Sequence, residues 1–189
     1  MTKTTKPGLP GDLAMWFFIF SELLVFAVLF LSYTFSRASN IEMFREGQKH
    51  LNTTAGVINT LALITASYFV VKAVNAIRVG NTRVCIRWLI VSVFTASIYI
   101  LVKFFEYKES FSAGFSLGSN KFYFFYFFLT FFHLMHVCMG IIILLAVAYK
   151  AHHGMYSQKN HNGLITGASY WHMVDLVWVI LFPLLYVIR

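Results

Sequence analysis

Apolar residues are concentrated in five long runs that short polar segments separate. The runs cover residues 13–35, 54–76, 88–105, 122–149 and 168–188. A helix rises about 1.5 Å per residue, so roughly 20 apolar residues cross about 30 Å of hydrocarbon. A membrane-spanning helix also satisfies its own backbone polar groups, as hydrocarbon requires. The pattern therefore predicts an all-α integral membrane bundle of five transmembrane helices.

The segments between the runs carry turn and helix-cap signals. "PGLPGD" precedes the first run, "VGNTR" separates the second from the third, and "HNGLITG" precedes the fifth. No segment is long enough for a soluble domain, so residues 1–189 are predicted to form a single transmembrane domain. Lys3 and Lys6 precede the first run as in a signal peptide, but the run is too long, contains Glu22 and has no A-x-A site after it. We expect this run to remain as a membrane helix.

Composition agrees with a membrane protein and argues against a nucleic-acid partner. Hydrophobic residues make up 59% of the 189 residues and charged residues 12%, with a mean hydropathy of +0.70. Soluble domains carry about 25% charged residues. The net charge of +8 comes from Lys and Arg that are spread over the connections without a block of like charges. These side chains are expected to anchor the helices at lipid headgroups. Cys85 and Cys138 form no CxxC motif and indicate neither a metal site nor a redox compartment.

The distribution of Lys and Arg gives an expected orientation, because cytoplasmic loops usually hold the excess. The side that holds the amino terminus has eight of these residues, and the other side has seven. The eight are Lys3, Lys6, Lys72, Arg78, Arg83, Arg87, Lys150 and Lys159. Three of the eight, Arg78, Arg83 and Arg87, lie within ten residues in the second connection. We therefore predict a cytoplasmic amino terminus and an external carboxyl terminus.

Ionisable residues inside the apolar runs are the candidates for function, because a charge at mid-bilayer costs about 2.5 to 3.5 kcal/mol. Glu22 lies nine residues after Leu13, hence about 14 Å along a helix and near the bilayer centre. Such a carboxyl group must be protonated or must find a hydrogen-bond partner on another helix. His133 and His136 share one helix face at i, i+3. This pair suits interhelical hydrogen bonds better than haem or metal ligation, which needs further ligands on facing helices.

The last run contains a second polar pair. His172 and Asp175 also lie at i, i+3, and Trp171 and Trp178 are two turns apart on a stripe that passes close to Asp175. An imidazole and a carboxylate that pair with each other remove part of the cost of burying either one. The pair is therefore predicted to hold the helix against a neighbour.

Five motifs in the same order resemble the subunit III family of haem-copper oxidases. The closing stretch "SYWHMVDLVWVILFPLLYV" is similar to the family pattern Y/F-W-H-F-x-D-x-V-W. The other four matching stretches are, in chain order, "FIFSELLVFAVLF", "LNTTAGVINTLALITAS", "LVKFFEYKESF" and "FFHLMHVCMG". By this resemblance, eight residues of this chain occupy the family's characteristic positions: Glu22, Glu106, His133, His136, Trp171, His172, Asp175 and Trp178.

The chain also departs from the pattern of the longer family members. It begins at the helix that is third in seven-helix forms and so resembles the short five-helix forms of quinol oxidases and of bacterial nitric oxide reductases. It reads "SYFVVKAV" where many oxidase members have a histidine pair, and it has Lys103 where they have glutamine. The opening "LPGDLAMWFFIFSELLVFAVLFLSY" is most similar to the nitric-oxide-reductase-associated branch.

The resemblance implies a multi-pass accessory subunit in a bacterial cytoplasmic membrane. Such a subunit is expected to have no catalytic residues, no metal and no redox cofactor of its own, to bind phospholipid, and to brace a catalytic subunit that contains haem. Two alternatives stay open. The intramembrane Glu, His and Asp residues would form a proton relay if a water-lined path joined them, and His133 and His136 would be ligands if the chain were a haem protein.

Overall fold

A computed structural model describes residues 13–158 and 160–188, and the regular structure of these residues is helical throughout. The helices are α1 (Leu13–Ala38), α2 (Ile41–Lys49), α3 (Thr53–Arg78), α4 (Thr82–Ser112), α5 (Lys121–His152) and α6 (Asn162–Phe182), and a π-helical turn follows at Pro183–Val187. The predictions made for "PGLPGD", Lys3, Lys6 and Lys159 concern residues outside those described.

Five helices in this part of the chain are long and apolar enough to cross a membrane: α1, α3, α4, α5, and α6 with its π-helical turn. The number of spans predicted from the apolar runs is therefore confirmed. Their predicted bounds were too narrow, most of all for α4, which extends over 82–112 rather than 88–105. Residues 162–167 are also helical rather than a connection. Hydropathy marks only the part of a helix inside hydrocarbon, and these helices continue beyond it.

Asparagine side chains start three of the membrane helices. Asn52, Asn81 and Asn120 each accept a hydrogen bond from the backbone N–H three residues later, at 3.1, 3.3 and 2.9 Å respectively. Each bond satisfies one of the N–H groups that a helix start leaves unpaired. The helix starts after the first, second and third connections are thus fixed by local sequence.

The short helix α2, which the sequence analysis did not predict, lies in the first connection. Its buried side is formed by Phe44, Gly47 and Gln48. Gln48 Nε2 donates to the carbonyl oxygens of Leu185 and Ile188, both at 3.0 Å. Because these carbonyls belong to the end of the last helix, α2 attaches the carboxyl end of the chain to the bundle.

Small residues allow close packing at the centre of the bundle. α3 and α4 form the most extensive helix pair, and Ala62, Ala66 and Ala73 of α3 are buried. At the contact of α5 with α6, a Cβ atom on Gly140 would come within 2.8 Å of the Trp171 ring, so this position requires glycine. In contrast, α1 buries little of its surface and contacts mainly α5 and α6.

Candidate functional site

Glu22 and His136 form a polar contact between α1 and α5. The distance from His136 Nε2 to Glu22 Oε2 is 3.0 Å, and both side chains are largely buried. The other ring nitrogen, His136 Nδ1, donates to the backbone oxygen of Phe132 at 2.8 Å, since a carbonyl only accepts. The mid-bilayer carboxyl group therefore has a partner on another helix, as the sequence analysis required of it.

His133 lies in a different environment from His136, although the two are one turn apart. It is fully buried, and neither ring nitrogen has a hydrogen-bond partner among residues 13–158 and 160–188. Its ring stacks on Trp178 with centroids 5.2 Å apart and meets the edge of Tyr99 at 5.5 Å. Within the described residues His133 is therefore packed among aromatic rings and makes no hydrogen bond to another helix. In the part of the chain that the structure describes, no three His, Cys, Asp or Glu side chains are grouped as a metal site.

A buried ion pair within α4 is hydrogen-bonded to Tyr186 of the π-helical turn. Lys103 Nζ lies 2.9 Å from Glu106 Oε2 and 2.7 Å from the Tyr186 hydroxyl. That hydroxyl donates to Glu106 Oε1 at 2.5 Å, which closes a three-membered network. Lys103 is completely buried and Glu106 is 5% exposed. A buried pair of this kind is tolerated only when its hydrogen bonds are satisfied, as they are here.

Aromatic rings surround the lysine of this network. Lys103 Nζ lies 5.2 to 5.7 Å from the ring centroids of Tyr107, Tyr126, Trp178 and Tyr186. The negative faces of aromatic rings stabilise a cation at such distances. Trp178 therefore contacts both His133 and Lys103, and connects the two clusters by packing rather than by a hydrogen bond.

His172 of α6 hydrogen-bonds a serine of α3. His172 Nδ1 lies 2.7 Å from the Ser67 hydroxyl of α3, and Asp175 lies three residues after His172 on α6. Oδ1 of Asp175 has no hydrogen-bond partner in the described part of the chain. The hydrogen bond that His172 makes is therefore to Ser67 of α3.

The two tryptophans of α6 differ in whether the indole N–H has a hydrogen-bond acceptor. Trp178 Nε1 donates to the Thr60 hydroxyl of α3 at 2.9 Å. Trp171 is buried against Gly140, and its Nε1 has no acceptor among the residues described. Trp178 thus makes a polar contact with α3, whereas Trp171 contributes packing.

The predicted site residues therefore fall into separate groups rather than one path. Hydrogen bonds join Glu22 to His136, Glu106 to Lys103 and Tyr186, and His172 to Ser67. Within 13–158 and 160–188, none of these bonds leads from one group to another.

Sequence reasoning missed Lys103 as a partner of Glu106, together with Ser67, Thr60 and Tyr186. The spacing of Lys103 and Glu106 at i, i+3 is the one signal that pointed to their contact. The other three residues meet their partners across 80 or more positions of the chain. No local pattern encodes those contacts.

Five spanning helices with polar pairs buried between them define a polytopic membrane bundle. The family model described as cytochrome c oxidase subunit III matches residues 2–188. Cytochrome c oxidase subunit 3 of Thermostichus vulcanus is 30% identical over 177 residues, which cover 93% of this chain and 86% of that protein. The subunit 3 of a Synechocystis strain is 30% identical over 172 residues, covering 90% and 72%. The chain therefore belongs to the cytochrome c oxidase subunit III family, and the resemblance found in its motifs is confirmed.

A third relative has a different organisation. The haem-copper oxidase subunit I+III of Aeropyrum pernix is 28% identical over 181 residues, which cover 93% of this chain but 22% of that longer protein. Its name indicates that subunits I and III form one polypeptide.

Proposed function

We propose that this chain is a non-catalytic accessory subunit of a bacterial haem-copper respiratory complex. It braces the catalytic subunit, which contains the haem, and it holds phospholipid at its surface. Membership of the subunit III family supports this role. The Aeropyrum relative supports the choice of partner, because a subunit I+III polypeptide keeps the two subunits together.

The observation that carries the proposal is a half-exposed polar group on the outer surface of α3 and α6. His172 and Asp175 are partly exposed on this surface, and His172 hydrogen-bonds the buried Ser67 of α3. Ionisable residues inside a membrane almost always face protein or water, because lipid tails cannot hydrogen-bond them. A neighbouring protein helix that covers this surface would remove the cost.

Apolar side chains frame the polar group on the same two helices. Ile64 lies one turn before Ser67 on α3, and Leu176 lies one turn after His172 on α6, with exposed fractions of 47% and 52%. We call the surface formed by Ile64, Ser67, His172, Asp175 and Leu176 the α3–α6 face. An apolar rim around a few polar groups is the usual anatomy of a helix contact in membranes, where polar side chains strengthen the association.

Phospholipid binding is the second part of the proposal. A wholly apolar groove of about 350 Å³ lies beside the end of α4 and the start of α5. It is lined by Tyr107, Phe111, Leu117, Phe127, Phe128 and Phe131. An acyl chain is the occupant that a membrane supplies to such a groove.

The respiratory complex to which this chain belongs is the most specific point that we propose. The relatives compared above carry oxidase names, whereas the opening residues resemble the nitric-oxide-reductase-associated branch. We propose nitric oxide reductase as the specific partner and a terminal oxidase as its alternative. Affinity purification from native membranes, with mass identification of the proteins retained, tests this choice. Retention of a haem-copper subunit supports the accessory role, and its identity decides the branch.

A variant of the α3–α6 face and a matched control variant make that purification more specific. Asp175→Asn should reduce the amount of retained haem-copper subunit, while Glu42→Gln, at an exposed position on α2, should leave it unchanged. Purification of the intact chain without any haem protein, from membranes that contain such complexes, would contradict the proposal.

A further inference from the structure

Three fully buried polar side chains inside the bundle come from three different helices: Asn59 of α3, Tyr99 of α4 and His133 of α5. Their five side-chain nitrogen and oxygen atoms have no hydrogen-bond partner among residues 13–158 and 160–188. Buried polar groups are almost always hydrogen-bonded, and an unpartnered one in low dielectric is costly. The docking of a partner proposed above uses none of these atoms, so they need an explanation of their own.

The packing of α3 against α4 places Asn59 and Tyr99 at the same level. The Ser92 hydroxyl donates to the backbone oxygen of Ala66 at 2.9 Å, which marks the register of these two helices. Asn59 lies two turns before Ala66, and Tyr99 lies two turns after Ser92. Because the two helices follow each other through a short connection and run in opposite directions, both displacements lead to the same position along their contact.

Rings from α5 and α6 enclose this position. The His133 ring meets the Tyr99 ring edge-on with centroids 5.5 Å apart, and the Trp178 ring lies 5.0 Å from Tyr99 and 5.2 Å from His133. Trp178 Nε1 also donates to the hydroxyl of Thr60, the residue next to Asn59 on α3. Four helices therefore surround the three polar side chains and separate them from lipid.

The chemistry of the three side chains defines the ligand that they accept. Asn59 offers amide N–H donors and a carbonyl oxygen, Tyr99 a hydroxyl group, and a neutral His133 one N–H and one bare nitrogen. In the described part of the chain, no three His, Cys, Asp or Glu side chains are grouped for a metal ion. A mixed set of donors and acceptors without a charged group suits a neutral ligand that itself donates and accepts. Water does so with roughly two to four hydrogen bonds, and it needs only about 10 to 15 Å³ of space.

We propose that at least one water molecule is bound between Asn59, Tyr99 and His133. It accepts from the Asn59 amide and the Tyr99 hydroxyl, and it donates to the bare ring nitrogen of His133. Such a molecule satisfies groups from α3, α4 and α5 at once, and it cross-links three helices at a level where they make no direct polar contact through these side chains. The centre of the bundle thus contains a hydrated polar site.

The direct test is a crystal structure of the full chain at a resolution that shows bound water. We expect density for water within hydrogen-bond distance of at least two of the three side chains. The chain is crystallised without a partner subunit, so a failure of the proposed docking would leave this result unaffected.

Thermal unfolding gives a second test, because the two alternatives predict shifts of opposite sign. Tyr99→Phe removes only the hydroxyl group. If water bonds this group, the variant should melt about 2 to 4 °C below the parent chain, as expected for one lost hydrogen bond in a chain of this size. If nothing bonds the hydroxyl group, its removal deletes a costly unpartnered group and should raise the melting temperature.

Two other tyrosines are matched controls. Tyr107→Phe removes a hydroxyl that is hydrogen-bonded to Thr130 at 2.8 Å, and it should lower the melting temperature by a similar amount. Tyr149→Phe changes a residue that is 65% exposed, and it should leave the melting temperature unchanged.

A double variant tests whether the water is shared. Asn59→Leu combined with Tyr99→Phe should lower the melting temperature by less than the sum of the two single changes, because both remove bonds to the same molecule.

Water density at the site together with a lowered melting temperature of Tyr99→Phe supports the inference. A direct hydrogen bond among the three side chains, the absence of water density beside them, or a Tyr99→Phe variant that melts at or above the temperature of the parent chain overturns it.

Discussion

His136 Nε2 lies 3.0 Å from Glu22 Oε2, across the contact between α1 and α5. Because His136 Nδ1 donates to the Phe132 carbonyl, a neutral imidazole offers Nε2 only as an acceptor. The contact then requires a proton on Glu22, or else an imidazolium that donates to a carboxylate. In either form one proton lies between the two helices, and the pair needs no further partner.

This geometry predicts different effects for two substitutions of Glu22. Glu22→Gln keeps a donor for His136 Nε2, so the change in stability should be small. Glu22→Ala leaves a largely buried nitrogen unsatisfied, at a cost of about 1 to 3 kcal/mol. Thermal unfolding of the purified chain measures both, with Glu42→Ala as an exposed control. Equal loss of stability for Gln and Ala would contradict a protonated Glu22 and would indicate the imidazolium–carboxylate form of the pair.

A second prediction concerns the buried ion pair of α4. Lys103→Met leaves Glu106 without its cation, which should cost about 3 to 5 kcal/mol. The double variant Lys103→Met, Glu106→Gln should cost less than the sum of the two single changes, since no lone charge remains. Denaturation in mixed micelles measures the three variants.

The chain contains a matched control for that experiment. Lys49 and Glu46 form an ion pair with the same i, i+3 spacing on the surface of α2, with side chains 60% and 65% exposed. Lys49→Met should change stability little, because exposed pairs contribute little. Similar effects of Lys49→Met and Lys103→Met would contradict the role assigned to burial.

A third prediction concerns topology. Five spans place the two ends of the chain on opposite sides of the membrane, and the Lys and Arg distribution predicts a cytoplasmic amino terminus. Reporter fusions at Lys6 and Arg189, both outside the described residues, should therefore label different sides. Labels on the same side would mean that the number of spans is wrong.

A fourth prediction follows from the state of the histidines. His136 is occupied by Glu22 and Phe132, and His133 is enclosed by Tyr99 and Trp178. The isolated chain should therefore show no Soret absorption and no stoichiometric iron or copper. One metal atom retained per chain after dialysis against a chelator would contradict a purely accessory role.

The sequence predicted the spans better than the contacts between them. Five apolar runs were sufficient for the five spans, and the depth of Glu22 indicated that it needs a partner. The identity of that partner was not predictable, because 114 positions separate Glu22 from His136. Helix α2 was missed since its nine residues are mostly polar, and its buried side is defined by residues that lie far away in the chain.

The polar pair of α6 shows the same limit. Spacing placed His172 and Asp175 on one side of the helix, but a helix pattern says nothing about the side chain that faces them. Ser67 of α3 takes that position and hydrogen-bonds the histidine. Likewise, Lys103 was noticed as a departure from the family pattern, while its contact with Tyr186 depends on the π-helical turn at Pro183–Val187.

We propose that the α3–α6 face docks this chain on a catalytic subunit and that its side chains take no part in the catalytic chemistry. The most direct measurement is the amount of haem-copper subunit that co-purifies with the chain, together with the activity per haem. It is made for Asp175→Asn, His172→Ala and the double variant, with Glu42→Gln as control. Each single change should lower co-purification about tenfold, and the double change should be less than additive because His172 and Asp175 lie three residues apart on the same face of α6. We expect the activity per haem of the complex that remains to be unchanged; fully assembled single variants without turnover would contradict the account.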